Sequence, residues 1–407
     1  MKKNCIVAQS GGPTVAINAS LGGVIDGVIK SSKYDKIYGA IHGIQGVFKQ
    51  EFLDLTESSD EFIDKLTKTP AMYLGSCRYK LPDIEENIQA YKDIFSVFES
   101  MNIGAFFYIG GNDSMDTVAK LAKYAESIGS DIKIAGVPKT IDNDLIETDH
   151  TPGFGSAAKY IAASVREMAY DTYIYDVNSV LIIEIMGRDA GWLTAASALA
   201  RNEFSNAPHL IYLPEVAFDK ETFISDIEKL MPTTKNIIIA VSEGIRDKDG
   251  NYISATTAAA DKFGHAQLSG TGKCLELLVK ERLGVKVRSV EINVLQRCAG
   301  HMASATDLKE SFELGSMAVS LTESGNTGFM TTLTRTNSTP YEYSIASVPV
   351  SKVANQAKEV PTNWINASGN DVTKDMIDYI APLIEGEVAG DYINGMVNYL
   401  DISHLVK

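Results

Sequence analysis

The chain has 407 residues, 45 % of them hydrophobic and 22 % charged, which fits a soluble globular enzyme too long for one ordinary core and so predicts two domains. A formal net charge of −15 argues against nucleic acid or an anionic membrane as a partner. No apolar stretch approaches the length of a membrane span, and the four cysteines (Cys5, Cys77, Cys274, Cys298) form neither a CxxC pair nor a Cys/His ligand spacing, so zinc and a disulfide framework are unsupported.

The N-terminal run MKKNCIVAQSGG superficially resembles a signal peptide. Its apolar part is too short, however, and passes straight into a glycine turn; it reads as the first strand, and the protein as cytoplasmic. A helix follows in GGPTVAINASLGGVIDGVIKS, and KIYGAIHG is a second strand. TPAMYLGSCR reads as a strand ending at Cys77 and Arg78, NIQAYKDIFSVFESMN has helical periodicity, and GAFFYIGG is a strand. SMDTVAKLAKYAESIG is expected to be a helix opened by a polar cap at Ser114, and IKIAGVPKT the next strand. Strands separated by helices imply a mostly parallel sheet with right-handed crossovers.

A second unit begins with the helix of GFGSAAKYIAASVREMAYD. NSVLIIEIMGR, APHLIYLPE, KNIIIAVSEG and KVRSVEINVLQR read as strands with helices between, and DLKESFELGSMAVSLTESG as a helix that returns towards the first unit. Beyond about residue 330 the periodicity weakens to two short paired strands, FMTTLTR and YEYSIASVPV, and a tail ending in VTKDMIDYIAPLIEG. The expected class is therefore α/β: two Rossmann-like three-layer domains, 1–150 (completed by 300–335) and 151–299, with a site in the cleft between them. Residues 336–407 are expected to form a C-terminal extension packing on the core.

The chemistry concentrates at strand ends, where open α/β sheets place ligands. SGGPTVAIN sets Gly11 and Gly12 between a strand and a helix, where missing side chains let a ligand reach the backbone and a helix N-terminus favours anions; the same turn would also serve as a tight connection. It matches neither GxGxxG nor the Walker pattern. GTGKC at Lys273 fails the Walker pattern too and reads as a helix-opening turn. IGGNDS places Asn112 and Asp113 beside converging backbone N–H groups, as ligand contacts, as a helix cap, or as both. In PKTIDND, Asp142 and Asp144 alternate across Asn143 and so face one side of an extended segment, with Lys139 nearby. One carboxylate can accept a proton while the cation meets phosphate oxygens; a polar Asp/Asn turn is the plainer reading. Gly187 and Arg188 follow a buried strand, Glu243 ends another, and Arg288, Arg297 and Arg78 repeat the pattern. Each arginine alone could be a structural ion pair, but their recurrence suggests phosphate forks.

Taken in order, SGGPTVAINA, GSCR, IGGNDS, PKTIDND, GFGSA, EIMGR, SEG and the arginine-bearing LQR resemble the phosphofructokinase family over about residues 4 to 320. The tail, with VPTNWIN and VTKDMIDYIAPLIEG, resembles that of pyrophosphate-dependent members. The resemblance implies that 1–150 binds the phosphoryl donor and 151–299 fructose 6-phosphate. It makes Asp142 the base for the sugar 1-hydroxyl, with Lys139 and Asp113 as its catalytic companions. Thr140, Ile141, Asp144, Met186, Gly187, Arg188, Glu243, Arg288, Gln296 and Arg297 then line the sugar site. Gly11, Gly12, Arg78 and Asn112 hold the donor, with Asn112 and Asp113 on Mg²⁺.

ATP-using members resemble GGDGS and PGTIDND, with glycine where this chain has Asp113 and Lys139. A carboxylate at Asp113 would crowd a nucleotide's inner phosphate, and Lys139 would meet pyrophosphate. The resemblance thus implies reversible transfer from pyrophosphate to fructose 6-phosphate, giving fructose 1,6-bisphosphate and phosphate, by a homodimer or homotetramer. Three departures stand out. Asn112 replaces an acidic magnesium ligand, Ser179 an arginine supplied across a subunit boundary, and Val294 a His or Tyr. The alternatives are an ATP-dependent enzyme of the same fold, a regulatory subunit that has lost turnover, and, from the glycine turn alone, a nicotinamide dehydrogenase.

Overall fold

The apolar runs become two mostly parallel sheets whose strand ends meet across a cleft. The computed structural model describes residues 2–254, 256–258 and 267–406. In chain order the strands are β1 (Lys3–Gln9), β2 (Tyr34–Ala40), β3 (Phe52–Asp54), β4 (Ile103–Gly110), β5 (Lys133–Pro138), β6 (Ser179–Ile185), β7 (Leu210–Tyr212) and β8 (Asn236–Ser242). They continue with β9 (Thr256–Ala258), β10 (Gln267–Ser269), β11 (Lys286–Glu291), β12 (Phe329–Ser338) and β13 (Tyr341–Pro349). The helices that position the site are α1 (Ile17–Ile29), α2 (Ile44–Lys49), α3 (Asp60–Lys68), α4 (Ile88–Ser100), α5 (Asn112–Ser127), α6 (Phe154–Tyr173), α7 (Trp192–Ala196), α8 (Lys220–Leu230), α9 (Thr271–Leu283), α10 (Ala305–Glu323) and α11 (Lys374–Ile380).

A seven-stranded sheet runs β13-β12-β5-β4-β1-β2-β3 and a four-stranded one β11-β6-β8-β7. Interior pairs such as β1–β4 and β6–β8 are parallel, and the edge strands β3 and β13 of the larger sheet are antiparallel. Strands buried on both faces need continuous apolar runs, and FFYI and IIIAV supply them. In the larger sheet the chain order reverses at β1, flanked by β2 and β4, so the crevice between β1 and β4 is the switch point where a ligand is expected. There the SGG and IGGNDS turns lie side by side.

Helix α10 carries the chain back from the smaller sheet and packs along α1. The approach is so close that a Cβ on Gly23 would stand 1.9 Å from the Phe312 carbonyl oxygen, and one on Gly315 2.2 Å from that of Ser20. Strand β12 then joins β5, and the β12–β13 hairpin runs across position 336 inside the larger sheet.

Two local expectations change. TPAMYLGSCR is not a strand: Ala71 and Gly75 have positive φ (68° and 69°) and break an extended run. The segment is held by buried amide side chains instead of a neighbouring strand, with Tyr73 N–H donating to Asn18 Oδ1 and Leu74 N–H to Gln9 Oε1, both at 2.9 Å. Helix α5 begins at Asn112, two residues before Ser114, with Gly111 at the N-cap and no side-chain cap. Asn112 and Asp113 thus belong to its first turn.

Candidate active site

A cleft of about 500 Å³ opens between the carboxyl ends of the two sheets. Its walls bring together Gly11, Gly12, Asn112, Asp113, Lys139, Thr140, Asp142, Asp144, Met186, Arg188 and Glu243 from the sequence-predicted set.

One end of the cleft is built by β1, β4 and β5. Gly11 takes a left-handed φ of 82°, and a Cβ there would sit 3.0 Å from Lys139 Nζ. The glycine therefore leaves room for the ammonium, which donates to the Gly12 carbonyl at 2.7 Å. Ser76 Oγ donates to the Gly11 carbonyl at 2.7 Å and ties the GSCR loop to this turn. Tyr79 reaches the cleft wall, whereas Arg78 is exposed and does not line it. Asn112 turns its amide to the backbone of the C-terminal segment: Asn355 N–H donates to Oδ1 and Nδ2 donates to the Gln356 carbonyl, each at 2.6 Å.

The PKTIDND loop forms the floor. Asp142 N–H donates to Thr140 Oγ1 at 3.1 Å, and Asn143, at φ 54°, turns between the two aspartates. Ile141 is buried in the hydrophobic core with Phe154, anchoring the loop. Burial, followed by the like charges of Asp144 and Glu243, pushes Asp142 up to about 7. Burial pulls Lys139 down to about 8 against the attraction of Asp142 and Asp144. A carboxylate raised and an ammonium lowered by burial, lining one cleft, are the kind of pair found where proton and charge transfer occur.

The smaller sheet supplies the other wall. Gly187 adopts φ 136°, and a Cβ there would meet the Ala190 carbonyl at 2.6 Å. Met186 N–H donates to Gln296 Oε1 at 3.3 Å, so buried Gln296 shapes the EIMGR turn from behind. Burial raises the Glu243 carboxyl, which accepts from Gly187 N–H at 3.4 Å. The Nε atoms of Arg188 and Arg297 are buried with no hydrogen-bond partner. Orphaned guanidinium donors of this kind are what an incoming phosphate would satisfy. Arg297 reaches towards the Gly11–Gly12 turn, its Nη1 lying 3.5 Å from where a Gly12 Cβ would be. Arg288 does not join the cleft: it is exposed on edge strand β11 and lines a separate groove with Ser179 and Val290. Ser179 Oγ accepts from Asn236 Nδ2 at 2.8 Å, and Val294 is exposed. The GTGKC turn is structural, since Gly272 N–H donates to Glu184 Oε2 at 2.7 Å where α9 packs on β6.

The C-terminal segment contributes what sequence reasoning missed. Lys358 Nζ donates to Asn143 Oδ1 at 3.3 Å and to the Asp149 carbonyl at 2.7 Å, while Tyr379 OH accepts from Asn143 Nδ2 at 3.0 Å. The Asp142–Asp144 loop is thus buttressed from behind. Deeper still, burial lowers and the Glu310 and Asp149 carboxylates more than restore the basicity of His150, which ends raised to about 9 and bridges the two at 2.6 and 2.8 Å. SKVANQAKEV shows no periodicity and no motif, so nothing in the sequence flagged it.

Among the described residues, no group of three or more His, Cys, Asp or Glu forms a metal cage. Asp113, exposed on the first turn of α5, is a carboxylate lining the β1–β4 end of the cleft. Magnesium is commonly held by one or two carboxylates plus substrate phosphates and keeps several waters. This donor set fits a magnesium ion arriving with a polyphosphate.

A family model described as phosphofructokinase matches residues 4–322. The pyrophosphate–fructose 6-phosphate 1-phosphotransferase of Methylococcus capsulatus is 38 % identical over 406 residues, covering 99 % of this chain and 96 % of that protein. The enzyme of the same name from Xanthomonas campestris is 40 % identical over 405 residues, with 99 % and 96 % covered. The crystal structure of a pyrophosphate-dependent phosphofructokinase from Nitrosospira multiformis superposes with a TM-score of 0.88 at 37 % identity, covering 98 % of this chain and 96 % of that one.

Proposed function

The chain belongs to the phosphofructokinase family, and from that premise we propose that it transfers a phosphoryl group from pyrophosphate to the 1-hydroxyl of fructose 6-phosphate, reversibly, giving fructose 1,6-bisphosphate and phosphate. One observation carries the choice of donor. The Lys139 ammonium lies against the Gly12 carbonyl, in the same cleft as Asp113 and Asp142.

In this reading Asp142 takes the proton of the 1-hydroxyl as its oxygen attacks the nearer phosphorus. The bridging P–O bond breaks, and its electron pair leaves with phosphate. Lys139 stabilises the charge that builds on the transferring group and the leaving oxygen. Gly11 and Gly12 let pyrophosphate approach the backbone, and Asp113 stands where a nucleotide's inner phosphate would need room. Arg188 and Arg297, whose Nε atoms lack partners, hold the sugar phosphate, and Glu243 accepts from sugar hydroxyls. Thr140, Asp144, Met186 and Gly187 shape the sugar's bed, with Ile141 and Gln296 fixing it from behind. Asp113 would hold Mg²⁺ together with pyrophosphate oxygens, and the ion supplies neutralisation of phosphate charge. The coordination expected of Asn112 passes to these groups, since its amide already serves the Asn355–Gln356 backbone.

Replacing both Asp113 and Lys139 by glycine tests the donor argument. The double variant is expected to lose pyrophosphate-dependent turnover by about 10²-fold or more, the size of losing one preorganised charge contact. Unchanged pyrophosphate kinetics would refute the assignment.

The assembly, expected to be a homodimer or homotetramer, belongs to the same proposal. Arg288 lies outside this chain's own cleft, on edge strand β11 in a groove it shares with exposed Val290, and the turn after that strand exposes Val294 and Leu295. A second copy seated there would cover the apolar residues and could receive Arg288 in its own sugar site.

A further inference from the structure

Asn112 stands where a carboxylate would be favoured twice over. The first turn of a helix stabilises negative charge, and a hard cation prefers a carboxylate to an amide. The chain places an amide there instead, and both its arms are engaged. One arm accepts from Asn355 N–H and the other donates to the Gln356 carbonyl, each at 2.6 Å. These demands are opposite in sign and are met by one planar group. A carboxylate could accept but not donate, and would set a negative oxygen against the Gln356 carbonyl.

The contact has support on both sides. Asn355 Nδ2 donates to Asp116 Oδ1 at 3.1 Å, further along α5, and Asn355 turns the chain with φ 62°. Val350 and Val353 root the segment in the core before it. After it, Lys358 N–H donates to the Asp144 carbonyl at 2.7 Å, so the stretch runs from the donor helix to the base loop. Asn355, Gln356 and Ala357 form part of the cleft wall together with Gly12, Asp113 and Lys139.

Resting on the reading of this cleft as a pyrophosphate site, we propose that Asn112 is a positioning residue. Its amide straps residues 355–357 over the donor end, so that this wall bounds a space fitted to a small inorganic anion, and it is not a ligand of the cation. The shared chemistry is that of a compact phosphate anion, without a nucleoside to extend past the wall.

Two variants test this. Asn112→Ala removes both arms, and Asn112→Asp keeps the acceptor, loses the donor and adds a potential metal ligand. Hydrogen exchange across 350–358 should accelerate in Asn112→Ala. The KM for pyrophosphate should rise about fivefold or more, the effect of losing one net hydrogen bond, while the KM for fructose 6-phosphate stays within about twofold. Asn112→Asp should also raise the KM for pyrophosphate, and the Mg²⁺ concentration for half-maximal activity should not fall. Unaltered exchange in Asn112→Ala, or a several-fold lower Mg²⁺ requirement in Asn112→Asp, would overturn the proposal. Exchange is read without any donor. If the unsubstituted protein used only ATP, the functional reading would fail while the strap could still be confirmed by exchange.

Discussion

Asp142 and Lys139 carry opposite burdens in one cleft. Burial and two neighbouring carboxylates make Asp142 hard to ionise, and burial makes Lys139 easy to discharge. A base must be deprotonated to work, and a charge stabiliser must be protonated. The dependence of kcat/KM on pH, which reports the free enzyme, should therefore be a narrow bell, with an acid limb near 7 from Asp142 and an alkaline limb near 8 from Lys139. Asp144→Asn removes one like charge and should move the acid limb to lower pH. An acid limb that stays put or moves up would show that Asp144 does not press on Asp142. At this scale the sequence is most legible where chemistry forces residue type: the doubled glycines, the paired aspartates, Lys139 and Arg188; the same strand-end rule picked Arg78 and Arg288, which lie outside the cleft. It was silent on Lys358 and Tyr379, because a buttress needs only a donor or acceptor at the right place, and no spacing rule marks it.

Among the elements, the contact between α1 and α10 holds the returning chain against the unit built on the larger sheet. Glycine is required where backbone meets backbone: a Cβ on Gly23 would lie 1.9 Å from the Phe312 carbonyl oxygen. Gly23→Ala should cost about 1–3 kcal/mol, the range for forced overpacking, and lower the midpoint of thermal unfolding by several degrees in calorimetry. An unchanged midpoint would mean that the helices separate freely. The strands and long helices were readable because buried parallel strands are apolar throughout and amphipathic helices are periodic. TPAMYLGSCR misled for a physical reason. Its apolar side chains are buried as a strand's would be, but Gln9 and Asn18 take the backbone bonds that a neighbouring strand would have taken. The N-cap of α5 lies three residues before Ser114 because Gly111, with no capping side chain, takes the position expected of Ser114.

For the molecule as a whole, the excess of negative charge extends into the cleft, where Lys139 and Arg188 face Asp113, Asp142, Asp144, Asp189 and Glu243, so a phosphate anion entering it depends on those cations and on a counter-ion. The division expected at 336 falls inside β12 and so cuts the β12–β13 hairpin; the hairpin itself is a local pairing, but the parallel pairing of β12 with β5 that carries it into the larger sheet is long-range and leaves no local mark. The proposed use of Arg288 by a second copy's sugar site makes a definite demand on assembly. Sedimentation should give a multiple of the 44.1 kDa chain mass, and Val290→Asp combined with Leu295→Asp should shift it to the monomer with a higher KM for fructose 6-phosphate. A fully active monomer would contradict the shared sugar site.

The donor is the claim on which the rest turns, and phosphorus NMR reads it without coupling enzymes. Purified protein is incubated with fructose 6-phosphate and Mg²⁺, and with either pyrophosphate or ATP. The pyrophosphate resonance should fall as fructose 1,6-bisphosphate and phosphate appear, with ATP left intact. Faster consumption of ATP than of pyrophosphate would contradict it.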